Sequence, residues 1–313
     1  MRVCLLSGGF GGARLAPGLA AAVGADRLTV ITNPGDDLEY LGAEIWPDFD
    51  MVAYGLAGLF DEAQGWGIVG DTYSHEGWFR IGDRDLELSR MRTELLGAGT
   101  PRDDVAAALG ACLGIRSRVV PAAATPLRTV VHVEGGETRP FQEWLVRHRA
   151  AERPVAVELR PPEAAVSALA LNGVVAADVV LLGPSNPVAS LAPILAVPVL
   201  AEAVRVSRRV VAISPTILRR PPRTPAEAGR YRVRELLLGI LGIPHTAGGC
   251  ARLWDTLIDG YVLDASDREE AGALGLPVLA VDLLAEQRHV AERVLAFAEE
   301  LEPRTPRRAP DLL

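Results

Sequence analysis

Basic charge, aromatic side chains, cysteine and long apolar runs are all scarce in this chain. Its 313 residues carry 40 acidic against 32 basic side chains, a formal net charge of −8. That balance excludes bulk attraction to nucleic acid or to an anionic membrane surface, so any phosphate binding must be local. Arg205, Arg208 and Arg209 break the longest apolar candidate before it reaches the roughly 18 residues of a membrane span. Arg14 and a glycine cluster interrupt the apolar start, and Arg2 adds little positive charge, so no secretory leader is read there. Cys4, Cys112 and Cys250 are dispersed, with no Cys-x-x-Cys and no zinc-like spacing. They read as buried thiols of a reducing compartment, and a cytoplasmic protein is expected.

Aromatics make up 5% of the chain while Ala, Val, Leu and Gly dominate, a profile of helix-rich α/β proteins rather than β-sandwiches. Short apolar runs recur at Val3–Leu6, Leu28–Thr32, Val119–Val120, Thr129–Val133, Val155–Leu159, Val179–Leu182, Val210–Ser214, Gly260–Leu263 and Pro277–Val281. Helical stretches lie between many of them, which predicts a Rossmann-like, mainly parallel sheet with flanking helices. The length fits two domains or one large one. A single domain over residues 1–300 is expected, with a helical insertion at about 60–115 and a disordered tail at 301–313.

Three loops follow strand candidates and could line one crevice beyond the carboxyl ends of a parallel sheet. The first, Ser7-Gly8-Gly9-Phe-Gly11-Gly12, joins a strand to a helix start. Bare backbone N–H groups at such a junction bind anions, and a plain tight turn is the other reading. The second holds Asp36 and Asp37, and the third runs Gly183-Pro184-Ser185-Asn186-Pro187. Further on, Asp48 and Asp50 are spaced to point to one side of an extended segment. Asp36, Asp37 and Asp48 are candidates to hold Mg²⁺, with turn and capping roles as the alternative. Asp83 and Asp85 read as N-caps of a following helix. Arg80 is a candidate anion ligand. Trp66, Tyr73, Trp78 and Phe79 crowd around His75, forming either a wall for a planar ligand or a satellite core. Gly-x-Ser-x-Gly is absent, and no serine or cysteine has an evident histidine partner. Phosphoryl-type transfer needs no protein nucleophile.

Eight motifs follow in order over roughly residues 1–265: Ser7-Gly-Gly9-x-Gly-Gly12, Asn33-x-Gly-Asp-Asp37, Pro47-Asp-x-Asp50, Trp66-Gly67 with Asp71-Thr72, Gly82-Asp-Arg-Asp85, Phe141-Gln-Glu-Trp144, Pro184-Ser-Asn-Pro187 and Ser214-Pro215. Together they resemble the 2-phospho-L-lactate transferase family, the CofD/FbiA type of coenzyme F-420 biosynthesis. The resemblance implies a Mg²⁺-assisted transfer of a phosphorylated three-carbon acid from a guanosine diphosphate adduct to the ribityl hydroxyl of the deazaflavin Fo, releasing GMP. It also implies a homodimer. Asp50 and Arg80 would contact Fo, with Trp66 and His75 in the aromatic wall. Ser7, Gly8, Gly9, Gly11, Gly12, Gly183, Pro184, Ser185, Asn186 and Ser214 would hold the nucleotide. Asp50 and Asp37 are the catalytic candidates.

Two departures from the family pattern bear on the identity of the donor acid. Ala122-Ala-Ala124 replaces the usual acidic residues, and Thr216-Ile-Leu-Arg219-Arg220-Pro-Pro222 replaces a glycine- and lysine-rich stretch. The alternative reading is a non-enzymatic, nucleotide-sugar-binding regulator of the same fold, which the Pro47–Asp50, Gly82–Asp85 and Phe141–Trp144 motifs disfavour. A nicotinamide dehydrogenase is disfavoured because the Gly-x-Gly-x-x-Gly spacing is missing.

Overall fold

The computed structural model describes residues 1–304. The chain begins β1 (Val3–Leu6), α1 (Gly9–Val23), β2 (Leu28–Thr32), β3 (Leu38–Tyr40), β4 (Ala43–Ile45) and α2 (Pro47–Leu56). It continues with α3 (Asp83–Gly97), α4 (Arg102–Cys112), β5 (Arg118–Pro121), β6 (Arg128–Val133), β7 (Thr138–Pro140) and β8 (Pro154–Arg160). Next come α5 (Ala168–Val175), β9 (Val179–Leu182), α6 (Ala192–Leu195), α7 (Pro198–Arg205) and β10 (Val210–Ile213). The last elements are α8 (Pro225–Ile240), α9 (Ala247–Arg252), β11 (Gly260–Asp264), β12 (Val278–Val281) and α10 (Gln287–Glu300).

Seven strands form one parallel sheet in the order β12-β11-β10-β9-β1-β2-β5. Strand alternation divides the core into two layers. Val3 and Leu5 pack with α1, α4 and α10 on one face, and Cys4 and Leu6 pack with α5, α7 and α9 on the other. Burial on both faces is why these strands read as unbroken apolar runs. Connections from β1 go one way to β2 and β5, while β9 and its successors go the other. The order therefore reverses between β1 and β9, the place where open α/β sheets bind ligands.

Two strand candidates belong elsewhere. Thr129–Val133 and Val155–Leu159 lie in β6 and β8, which pair antiparallel in a separate sheet of order β7-β6-β8. This sheet, α8 and the Phe141–Trp144 segment share a third core around Val131, Trp144, Val233 and Leu237. The stretch expected to be helical from about 60 is irregular up to Gly82, and only α3 and α4 are helical within it. Neither Asp83 nor Asp85 caps α3. Asp71 does so from the loop, its carboxylate accepting the N–H groups of Arg84 (3.1 Å) and Asp85 (3.2 Å).

Cys4 and Cys250 are buried, whereas Cys112 is exposed, against the reading of three buried thiols. Residues 301–304 pack against the domain: Leu301 is buried, and Arg304 binds the Asp259 carboxylate at 2.5 Å. The rest of the predicted tail, 305–313, lies outside the described residues. No single helix among the described residues is long and apolar enough to cross a membrane.

Candidate functional site

A cleft of about 690 Å³ opens above the β1/β9 switch point. Its floor is built by two loops that are stapled together. Ser7 and Ser185 join hydroxyl to hydroxyl at 2.7 Å, and the Gly8 N–H donates to Ser185 Oγ at 3.0 Å. The glycines here mainly permit close approach. A Cβ at Gly8 would sit 2.0 Å from Asp48 Oδ2, and one at Gly11 would sit 2.1 Å from the Pro184 carbonyl oxygen. Gly9 alone in this loop needs a positive φ, +58°. The anion seated at this helix N-terminus is the protein's own Asp48, which accepts a hydrogen bond from Asn33 at 2.9 Å and whose pKa is lowered by Asn33, Ser190 and the Gly9 backbone against the rise caused by burial.

Asp48 and Asp50 occupy the first turn of α2 rather than an extended segment, so they serve different partners. Asp48 pairs with Asp36 through one shared amide: Asn33 Nδ2 donates to Asp36 Oδ1 at 3.0 Å and to Asp48 Oδ2 at 2.9 Å. Gln142 Nε2 donates to the other oxygen of Asp36 at 3.2 Å. Burial raises the pKa of both acids, and Asp48 raises that of Asp36 further. Two buried carboxylates held by amides, with no ion pair to either among the described residues, are suited to a hard divalent cation that completes its shell with water and phosphate oxygens. Among the described residues no three His, Cys, Asp or Glu side chains form a metal cage.

Asp50 points to the other side of α2. Its Oδ1 receives the guanidinium of Arg92, while its Oδ2 is buried without a hydrogen-bond partner. Arg92 is fully buried, lies 4.8 Å from the Trp46 ring centroid and donates to the Glu44 carbonyl at 2.9 Å. Burial raises the Asp50 pKa and Arg92 opposes that shift. Beside it, the Tyr54 hydroxyl donates to Asp85 Oδ1 at 2.6 Å. Burial, then repulsion from Asp50, pushes Asp85 upward.

Most of the sequence candidates meet here. Gly8, Gly9, Gly11, Pro184, Ser185, Asn186, Ser214, Asp36, Asp48, Asp50, Trp66 and Arg80 all line the cleft. Ser7, Gly12 and Gly183 lie beneath it, as packing partners of the stapled loops. Asp37 is turned away from it and binds Arg102 at 2.5 Å, with Arg128 at 3.6 Å. His75 stays outside the lining, with Nε2 3.9 Å from Asp83 Oδ1. The aromatic group divides. Trp66 and Phe79 reach the cleft and Arg80 stacks on Tyr73 at 4.2 Å, whereas Trp78 and Phe79 also close a small core on Tyr40. Tyr54, Arg92 and the arginines of α8 were missed. Tyr54 and Arg92 carry no local motif, and Arg230 to Arg234 lie in a stretch that reads as a loop running into a helix.

Fold and cleft together define a doubly wound α/β ligand-binding protein whose site sets paired carboxylates against arginines. The chain belongs to the 2-phospho-L-lactate transferase CofD family, whose model matches residues 3–270, and it is a transferase of that family. It is 36% identical to a phosphoenolpyruvate transferase of Streptomyces griseus, over 96% of this chain and 99% of that one. A protein of the same name from Streptomyces avermitilis is 37% identical, over 98% and 100% of the two chains. A crystal structure of a UPF0052-family protein from Bacillus halodurans shares the fold, with a TM-score of 0.66 at 18% identity over 94% of this chain and 98% of that chain.

Proposed function

We propose that the protein transfers a phosphorylated three-carbon acid from its guanosine diphosphate adduct to the ribityl hydroxyl of Fo, releasing GMP, in coenzyme F-420 biosynthesis. Phosphoenolpyruvate is the favoured acid because the curated relatives carry that name along nearly their whole length. The observation that carries the reading is that Asp50, buried and lining the cleft, keeps one carboxylate oxygen with no hydrogen-bond partner among the described residues. It favours the transferase over a nucleotide-sugar-binding regulator, which needs no such base.

In this reading the Fo hydroxyl donates to Asp50 Oδ2 while Arg92 fixes the carboxylate through its other oxygen. The hydroxyl oxygen forms a bond to the phosphorus that carries the acid, the bond from that phosphorus to the GMP oxygen breaks, and the hydroxyl proton passes to Asp50. Asp36 and Asp48 would hold Mg²⁺, which supplies charge neutralisation at the departing phosphate. Trp66, Phe79 and Arg80 form a wall for the flat deazaflavin. Gly8 to Gly11 and Pro184 to Asn186 border the nucleotide. A homodimer acting in the cytoplasm belongs to the same proposal and rests on family resemblance.

Turnover is the test. The purified protein is incubated with Mg²⁺, Fo and the phospholactyl, phosphoenolpyruvyl or phosphoglyceryl adduct of guanosine diphosphate, and GMP is followed with the deazaflavin product. GMP release coupled to a charged deazaflavin is expected. Fo binding without turnover from any donor returns the regulator reading, and no Fo binding at all defeats both acceptor and pathway.

A further inference from the structure

The reaction as described uses the acidic floor of the cleft and leaves the opposite wall unexplained. Helix α8 brings Arg230, Arg232 and Arg234 into the lining. Arg234 is only 6% exposed, and its Nε and Nη1 are buried without a hydrogen-bond partner. Its guanidinium lies 5.5 Å from the Tyr231 ring centroid, Cys250, Tyr261, Arg230 and His245 act on it or feel its charge, and among the described residues no carboxylate forms an ion pair with it. Burial therefore pulls its pKa below the usual arginine value.

Arg230 stands one turn earlier on the same helix face, where like charges four residues apart repel. Its guanidinium lies 4.0 Å from the Phe10 ring centroid, and Arg14 adds further repulsion. Arg14 itself has a buried, unbonded Nε and only a loose 3.6 Å approach to exposed Glu62. Glu227, the one carboxylate that visibly opposes the shift of Arg230, is already engaged by the Arg223 N–H at 2.7 Å. Three guanidiniums gathered along one cleft wall, one of them buried and unpaired, form an unfavourable arrangement unless an anion completes it. Guanidinium forks match the oxyanions of phosphates and carboxylates.

We propose that Arg234, flanked by Arg230, is the specificity-determining anchor for an oxyanion of the donor, either a nucleotide phosphate or the carboxylate of the three-carbon acid. The inference rests on the donor reading above and assigns a role to residues which that reading leaves idle. It also gives a consequence to the altered stretch after Ser214-Pro215, which leads directly into α8.

The test is calorimetric titration of the full chain with GDP, inorganic pyrophosphate, phosphoenolpyruvate and guanosine, in the wild type, Arg234→Met and Arg234→Lys, with Tm measured for each. Arg234→Met is expected to bind at least one of the anions about ten- to hundredfold more weakly, with guanosine affinity unchanged. Its Tm should hold or rise, because a buried unpaired charge has been removed. Weakening of GDP and pyrophosphate assigns a phosphate, and weakening confined to phosphoenolpyruvate assigns the carboxylate. Arg234→Lys keeps the charge without the fork and should fall between the two; it carries the test if the Met variant does not fold. Unchanged anion affinity in both variants overturns the proposal, as does a fall in Tm with an equal loss of guanosine binding. Wild-type protein that binds pyrophosphate or phosphoenolpyruvate through Arg234 but ignores GDP contradicts the nucleotide reading alone. GDP and phosphoenolpyruvate binding that are both indifferent to Arg234 contradict this inference alone.

Discussion

Gly11 meets Pro184 so closely that a Cβ on the glycine would stand 2.1 Å from the proline carbonyl oxygen. This contact locks the first helix to the loop after β9 and sets the width of the switch-point cleft. Backbone cannot yield there as a flexible side chain could. Gly11→Ala should therefore cost about 1–3 kcal/mol of stability through overpacking. Denaturant unfolding would show a lower midpoint with an unchanged slope, and a variant of wild-type stability would contradict this packing role.

Asp37 and Arg102 illustrate why adjacency in sequence misleads. Asp36 and Asp37 look equivalent in the chain, yet only Asp36 lines the cleft, because Arg102 of α4 reaches Asp37 from the far side. Removing that partner in Arg102→Met should destabilise the protein by about 3 kcal/mol, leaving a buried charge uncompensated. The loss should depend on pH. Burial raises Asp37 to about 7 against the pull of Arg102 and Arg128, and loss of Arg102 raises it further. A folded pKa above the unfolded one means that stability is present at low pH and is lost as pH rises through the folded value. The difference between variant and wild type should therefore widen from pH 5 to pH 8 in thermal melts; a constant difference would contradict it.

Asp36 and Asp48 share the Asn33 amide and repel each other, which a cation would relieve. Mg²⁺ should raise the Tm of the wild type by an amount equivalent to about 2–3 kcal/mol near hundredfold saturation. Asp48→Asn should abolish that increment. Calorimetry with and without chelator measures it, and an equal increment in the variant would remove Asp48 from the metal site.

Much of this architecture is legible in the chain, and the illegible parts share a cause. Strands β1, β2 and β9 announce themselves because both faces are buried. Thr129–Val133 reads the same way, since its pattern cannot distinguish a parallel from an antiparallel neighbour. Strands β3 and β4 have three residues each, too few for a period to emerge. In the site, the glycine loops and carboxylates are visible as local motifs. Which acid faces the cleft depends on arginines distant in sequence: Arg92 lies 42 residues from Asp50, and Arg102 lies 65 from Asp37. No local pattern encodes such pairings. Arg234 is not legible in the chain because arginine-rich stretches are ordinarily solvated, whereas here the helix turns one arginine inward.

The central claim is that Asp50 accepts the proton of the acceptor hydroxyl through a carboxylate oxygen that has no hydrogen-bond partner among the described residues. It is tested most directly by Asp50→Asn, with GMP release and fluorescence-detected Fo binding measured on the same preparation. The account predicts that kcat falls by about 10²–10⁴-fold while Fo affinity changes little. Near-normal turnover in that variant would contradict it.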